Sequence, residues 1–393
     1  MLVSAARPAR TVSAVRTARM SDGRKLRAVV AGSGFGCRIQ IPALRGAGFE
    51  VVGLVGTDAR RTADRAAVNQ VPQSFIDIDE AITRTGATVV AIGTSPASHA
   101  PLSFAAIRRG CHVLCEKPLA LDYAEAASLL QAARKARVVH AVGNEFRYIP
   151  ARAMMARLIA EGAIGEPKFV TAVQYSNYVS TFEADLPGWW FDRHAGGGWL
   201  LAAGSHGVDQ IRNCLGEFES VSGTLPTVFV SRGPVEDSFS VRFRLANGAE
   251  GVMQQTASAA GSFAEMLRVA GTKGSVWIEG VSSSADFSTL WLADRGETRQ
   301  VRIPPDLELG PPPPVTDDPR QHSAEWQSMA PVELGPYAAL CRAFRAAIEG
   351  VPPPSTVAMP TFEDGVSTMG VLDAILASAQ AGGTLMQLAG PTV

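Results

Sequence analysis

Residues 28–37 read Ala-Val-Val-Ala-Gly-Ser-Gly-Phe-Gly-Cys: an apolar run that ends in three glycines and passes into a helix-compatible segment. A buried strand that must turn at once into a helix needs a residue without a Cβ, which Gly32 supplies. Gly34 leaves no side chain between the backbone and a bound group, and the following helix aims its amides at that place. Such a loop suits a pyrophosphate. The third glycine, Gly36, stands one position early, since strict spacing would put it where the chain has Cys37. A plain tight turn at a strand end uses the same glycines, so the rest of the chain must decide.

The pattern after the loop is regular. Leu26–Ala31, Val51–Val55, Val89–Gly93, His112–Cys115 and Val138–Val142 are short apolar runs bounded by turn residues, with helical spacing in Ile39–Gly48 and Asp122–Lys135. Strands that are apolar on both faces and alternate with helices predict a doubly wound parallel sheet with right-handed crossovers. From about residue 165 the rhythm changes. Lys168–Tyr178, Ser220–Val230, Ser238–Leu245, Glu250–Ala257, Glu265–Ala270 and Ser275–Glu279 read as strands of a mostly antiparallel sheet, interrupted by a helix over Ser205–Leu215. Pro304–Arg320, with four consecutive prolines, reads as a surface loop, and helices are expected over Leu334–Glu349 and Thr361–Ala379.

Composition narrows the function classes. A formal net charge of −1 over 393 residues offers no field for nucleic acid or an anionic membrane. No apolar run reaches the roughly 18 to 20 residues that span a bilayer, so the chain reads as soluble and cytoplasmic. The five cysteines at 37, 111, 115, 214 and 341 are scattered and read as buried thiols, with no metal site. Residues 1–25, rich in Arg, Ala, Ser and Thr with Asp22 the single acid, read as a disordered extension outside the chemistry.

Three stretches carry candidate chemistry. After the second strand comes Gly56-Thr57-Asp58-Ala59-Arg60-Arg61. A small residue with arginines behind it suits the 2′-phosphate of NADP, whereas Asp58 would serve the ribose of NAD if the strand ran longer; the reading leans to NADP. Glu116-Lys117-Pro118 closes a parallel strand, the edge where open α/β sheets bind ligands, and a lysine there can donate to a hydroxyl or carbonyl oxygen. The run from Gly196 to Asp209 ends in Gly204-Ser205-His206-Gly207-Val208-Asp209, a helix start that displays an imidazole, with Asp209 placed to orient it or to pair elsewhere. Solvation of the lysine and a purely structural histidine are the bland alternatives.

Together these stretches resemble the Gfo/Idh/MocA family of nicotinamide-dependent oxidoreductases. The resemblance runs from about 27 to 380 and rests on Gly32-Ser33-Gly34-Phe35-Gly36, Thr94-Ser95-Pro96-Ala97-Ser98-His99, His112-Val113-Leu114-Cys115-Glu116-Lys117-Pro118-Leu119, Gly162-Ala163-Ile164-Gly165-Glu166, Gly204–Asp209 and Pro360-Thr361-Phe362-Glu363-Asp364-Gly365. It implies an α/β chain: an N-terminal Rossmann domain over 26–147, a C-terminal α+β domain over 148–360 with a large, mostly antiparallel open sheet, and residues 361–393 packing back. It implies NADP or NAD held by Gly32, Gly34, Phe35, Gly36, Thr57, Asp58, Arg60, Arg61, Thr94, Pro96, His99, Glu116 and Lys117. Lys117 would hold the reacting hydroxyl and His206 would be the acid/base. The outer face of the second sheet would make a homodimer or homotetramer.

One departure stands out. The family commonly has an aspartate four residues before that histidine, where this chain has Ala202. Asn144, Arg147, Tyr148, Trp190, Asp192, Ser205 and Asp209 are the substrate-side candidates, and the bulk of Trp189, Trp190, Phe191 and Trp199 lies nearby in sequence. The expected reaction is hydride transfer between nicotinamide and a carbinol or carbonyl carbon of a small polyhydroxylated compound: a sugar, inositol or derivative. The alternatives are a redox-neutral lyase or glycosidase with tightly bound nucleotide, and a non-catalytic dinucleotide sensor.

Overall fold

A computed structural model of the chain describes residues 26–229, 233–280 and 289–388. The expected extension over 1–25 lies outside the described residues. In chain order the first half runs β1 (Arg27–Ala31), α1 (Ile41–Gly46), β2 (Glu50–Val55), α2 (Ala59–Val68), β3 (Ser74–Phe75), α3 (Ile78–Thr85), β4 (Val89–Ile92), α4 (His99–Arg108), β5 (His112–Cys115), α5 (Tyr123–Ala136) and β6 (His140–Val142). These six strands form one parallel sheet in the order β3-β2-β1-β4-β5-β6. The chain reverses direction between β1 and β4, which opens a crevice at the carboxyl ends of those strands. Local signals agree with the fold: Asp58, Asp77 and Asp122 each cap a helix by accepting a backbone N–H three residues on.

The second half continues with α6 (Pro150–Ala160), β7 (Pro167–Tyr175), α7 (Tyr178–Phe182), α8 (Ser205–Leu215), β8 (Phe218–Thr224), β9 (Ser238–Leu245), β10 (Glu250–Thr256), β11 (Ala264–Gly271), β12 (Ser275–Gly280), β13 (Thr289–Ala293) and β14 (Thr298–Gln300). It closes with α9 (Ala324–Glu349), α10 (Phe362–Gln380) and β15 (Met386–Gln387). Nine strands form the second sheet in the order β14-β13-β12-β11-β7-β10-β9-β8-β15. β7 and β10 run parallel, and the other pairs are antiparallel. The mostly antiparallel sheet expected from the sequence is therefore present, with one parallel pair at its centre.

Two differences from the sequence reading have physical causes. Helix α9 begins ten residues before the expected Leu334 and carries Pro331 and Pro336 inside it. Proline costs a helical hydrogen bond in isolation, but here Trp326, Leu334, Tyr337, Leu340 and Phe344 pack in one core with Val30, Leu44, Leu54 and Leu114 of the parallel half. Burial outweighs propensity. α9 lies in the stretch assigned to the second domain, yet it forms part of the core of the first. The strand expected over Ser220–Val230 ends at Thr224, and residue 230 lies outside the described residues.

Candidate active site

A cavity of about 1240 Å³ runs from the carboxyl ends of β1, β2 and β4 to the inner face of the nine-stranded sheet. One wall is made largely of backbone. Gly32 has φ +116°, and a Cβ there would collide with the carbonyl of Gly93 on β4's exit. At Gly36 a Cβ would come 2.8 Å from Val30 Cγ1, so this glycine lets the helix close on the strand. A Cβ on Gly34 would meet nothing within 4 Å, and Gly34 lines the cavity. That open cradle fits a dinucleotide pyrophosphate. The displaced third glycine coincides with a π-type turn over Gly36–Gln40, which takes up more residues per turn than an α-helix.

Phe35, Thr57, Thr94 and Pro96 also line this wall. Arg65 Nη1 donates to the carbonyl and hydroxyl oxygens of Ser33, at 2.7 and 3.0 Å, and so braces the glycine loop. Asp58 faces its own helix as a cap, Arg61 Nη2 donates to Thr57 Oγ1 at 3.1 Å, and Arg60 is exposed on the first turn of α2. None of Asp58, Arg60 and Arg61 lines the cavity. His99 does not line it either. Its Nδ1 lies 2.7 Å from the Pro118 carbonyl and its Nε2 3.2 Å from that of Thr94. Burial lowers its pKa to about 4, so it carries one N–H, which the shorter contact assigns to Nδ1. His99 thus ties the loop after β4 to the loop carrying Lys117.

The two candidate catalytic residues, Lys117 and His206, line the same cavity. Lys117 follows β5, and its Nζ donates to the carbonyl of Ala202 at 2.8 Å. Ala202 belongs to a second π-type turn, Leu200–Gly204, that leads into α8. A backbone carbonyl therefore engages the lysine at the position where the family pattern carries an aspartate. His206, in the first turn of α8, is 9% exposed, and its ring stacks on Phe146 with centroids 4.2 Å apart. Its Nδ1 has no hydrogen-bond partner. Burial, with the charges of Lys117 and Arg152, holds its pKa well below the usual value, so the ring is neutral at neutral pH. Asp209 does not orient it.

Behind Lys117 lies a group of buried acids. Tyr337 Oη donates to Glu116 Oε1 at 2.7 Å, and burial pushes the Glu116 carboxyl up to about 7 against the pull of Lys117. Glu145 is raised well above its usual range by burial and by the nearby carboxylates of Glu333 and Glu116.

The substrate-side candidates separate sharply. Trp190 lines the cavity, whereas Asn144, Arg147, Tyr148, Ser205 and Asp209 are all buried away from it. Arg147 holds Asp209 in two hydrogen bonds of 2.7 and 2.5 Å and reaches Asp364 at 3.1 Å, a buried ionic cluster that joins the loop after β6 to α8 and α10. The Arg147 and Arg212 guanidiniums pull the Asp364 carboxyl down to about 2 against its burial. Tyr148 borders a small separate cavity, and Asp192 caps a turn by accepting the His194 N–H at 2.9 Å. Phe146, part of the Asn144-Glu145-Phe146-Arg147 stretch that the sequence offers on the substrate side, lines the cavity, as do Arg152, Tyr178, Gln210, Gln255 and Glu265, which the sequence reading missed. Only Gln210 left a signal, four residues after His206 on the same helical face. Among the described residues no group of three or more His, Cys, Asp or Glu is arranged to hold a metal, and no helix is long and apolar enough to cross a membrane.

Comparison with known proteins agrees with this architecture. Residues 26–144 match the oxidoreductase family with an NAD-binding Rossmann fold, and residues 153–277 match the GFO/IDH/MocA C-terminal domain. The chain is 30% identical over 349 residues to 1,5-anhydro-D-fructose reductase of Ensifer adhaerens, covering 87% of this chain and 92% of that protein. It is 31% identical over 238 residues to levoglucosan dehydrogenase of Pseudarthrobacter phenanthrenivorans, covering 54% and 60% of the two chains. Among solved structures, levoglucosan dehydrogenase in complex with NADH and L-sorbose superposes with a TM-score of 0.76 at 25% identity, over 93% of this chain and 99% of that one. With the glycine cradle, the lysine at the end of β5 and both family matches in one chain, the protein belongs to the GFO/IDH/MocA family of NAD-binding oxidoreductases.

Proposed function

We propose that this oxidoreductase interconverts a secondary alcohol and a ketone on a sugar or related polyol, with Lys117 and His206 as its catalytic residues. The observation that carries the reading is that Lys117 and a neutral His206 line one cavity, close enough for the Lys117 charge to depress the His206 pKa, with His206 Nδ1 unpartnered. Gly32, Gly34, Thr94 and Pro96 would hold a nicotinamide dinucleotide, which when bound accepts or returns the hydride. In the oxidation direction the substrate O–H proton passes to His206, while Lys117 donates to the same oxygen and stabilises its developing negative charge. The C–H bond breaks as the carbonyl forms, and the proton on His206 leaves to solvent. Ala202 fixes one of the three ammonium hydrogens and leaves two for substrate. Neighbours named as acting on 1,5-anhydro-D-fructose and levoglucosan support a cyclic sugar as substrate.

The same reading favours NADP. The cavity at the end of β2 is lined by Gly56 and Thr57, Asp58 is turned to its helix as a cap, and Arg61 is held at Thr57. Residues 26–147 would bind the nucleotide, together with α9, and 148–360 would supply the substrate wall and the assembly surface, with 361–388 packed back against both; the end of the expected 361–393 stretch lies outside the described residues. The solvent face of the second sheet carries Phe169, Tyr175 and Val252, each more than a third exposed, which supports a homodimer or homotetramer through that face. A parallel fluorescence titration with NADPH and NADH tests the cofactor reading. Tighter binding of NADPH supports it, tighter binding of NADH moves the ribose contact elsewhere, and binding of neither overturns the enzyme assignment.

A further inference from the structure

The cavity that Lys117 and His206 line also carries a continuous chain of aromatic rings. Phe182 meets Tyr178 edge-on at 5.4 Å. Tyr178 lies 5.8 Å from Trp190 and 6.2 Å from Trp199, and Trp189 lies 5.2 Å from Trp190. All five line the cavity. Met266 and Leu267 of β11 add apolar surface to the same cavity. One sugar ring stacks on one or two aromatic faces, so five leave apolar surface uncovered.

Polar vacancies accompany this wall. Trp199 is 93% buried by its 7% exposure, and its Nε1 donor has no partner. Gln210 Oε1 and Gln255 Oε1 are likewise unpartnered acceptors on cavity-lining residues that are 4% and 8% exposed. Together with His206 Nδ1, which donates or accepts according to the ring's tautomer, this makes one donor, two acceptors and a ring nitrogen without partners. Buried polar atoms left unpaired are costly, so their ligand must carry both donors and acceptors. A polyol does. Arg152 is bound to Glu265 at 3.0 Å, which speaks against a phosphorylated sugar at this end.

Building on the oxidoreductase reading, we propose that the substrate is a glycoside with a flat aromatic substituent: the sugar lies at Lys117, His206, Gln210 and Gln255, and the aromatic ring lies against Trp189, Trp190 and Tyr178. The aromatic part makes and breaks no bond. It adds stacking area that a free sugar lacks, and it orients the reacting carbon.

The test pairs phenyl with methyl glycosides of glucose, galactose and mannose in both anomers, with the free sugars alongside, and measures kcat and KM with each oxidised nucleotide. We expect at least one phenyl glycoside to have kcat/KM about ten-fold or more above its methyl partner, a factor of the size aromatic stacking supplies. Trp190→Ala should bring that ratio toward one, and Trp190→Phe should restore much of it. Tyr178→Leu is the second variant should Trp190→Ala fail to fold. Equal kcat/KM across every pair, or oxidation confined to unsubstituted sugars, overturns the aromatic substituent and leaves the oxidoreductase reading intact. Nucleotide reduction by none of the sugars or glycosides, in protein shown to bind nucleotide, overturns the sugar reading and this inference with it.

Discussion

The two walls of the cavity are built by different means. The nucleotide wall is mostly backbone: Gly32, Gly34, Gly93 and the turn at Thr94–Pro96 define its shape, and side chains such as Arg65 brace it from behind. The substrate wall is mostly side chain, drawn from the loop after β6, from α6, α7 and α8, from the turn at Gly188–Phe191 and from the second sheet. A backbone wall recognises what all dinucleotides share, because peptide groups are the same in every chain. A side-chain wall can be changed residue by residue, so substrate choice resides there. Between the walls sits the loop carrying Lys117, tied to one by His99 and to the other through Ala202.

The largest expected effect falls between the walls. Lys117→Met removes the donor to the reacting oxygen and should lower kcat by roughly three orders of magnitude, with nucleotide affinity changed only a few-fold. Steady-state kinetics and a nucleotide titration check this; near-normal turnover would break the division of labour described here. Next comes the frame beneath the substrate wall. Arg147→Met leaves Asp209 buried without its cation and Asp364 with Arg212 alone, and should cost about 3 to 5 kcal/mol of stability by chemical denaturation. If Arg147 instead contacts substrate, the variant would keep its stability and show a raised KM.

The nucleotide wall is tested by Gly34→Val. A Cβ at this position meets nothing within 4 Å and opens into the cavity, so the melting temperature should barely move, while the side chain fills the cradle. Nucleotide affinity should fall about a hundred-fold, equivalent to about 2.7 kcal/mol. Normal affinity would place the pyrophosphate elsewhere.

The smallest effect is a pH dependence. His99 and His112 have folded pKa values lowered to about 4 by burial, so between about 6.5 and 4 the unfolded chain binds more protons and stability falls on acidification. Glu116 has the opposite sign. Its pKa is raised from 4.5 to about 7, so over that window the folded protein holds the extra proton and stability rises as pH falls. Glu116→Gln removes this opposing contribution. The variant should therefore lose stability more steeply on acidification than the parent, by up to about 1.4 kcal/mol per pH unit. Urea midpoints at several pH values measure it, and parallel profiles would show that Glu116 ionises normally in the folded state.

Legibility followed the same division. The strands at Val89 and His112, helix α8 and strand β9 were readable almost to the residue, because continuous apolar runs and period-two alternation are local patterns. Helix α9 starts ten residues before the expected Leu334: Pro331 argues locally against a helix in that stretch, and only packing on the parallel sheet answers it. Lys117 and His206 stood in motifs and could be named. Arg147 and Asp209 stood beside motifs and were expected to face substrate, but two carboxylates close enough to neutralise one guanidinium is a fact of folding, invisible along the chain. Arg152, Tyr178, Gln255 and Glu265 come from separate elements with no shared spacing, so no pattern announces them.

The sequence by itself determined a parallel nucleotide-binding half and an antiparallel partner sheet, and it singled out Lys117 and His206 as candidates, since glycine geometry and strand periodicity depend on neighbours a few residues away. Tertiary structure alone decided that Ala202 engages Lys117 through its carbonyl, that Asp209 serves Arg147 instead of His206, and that five aromatic rings line the same cavity as Lys117 and His206. Those outcomes depend on contacts between residues tens of positions apart, where burial and pairing, and not local preference, set the energy.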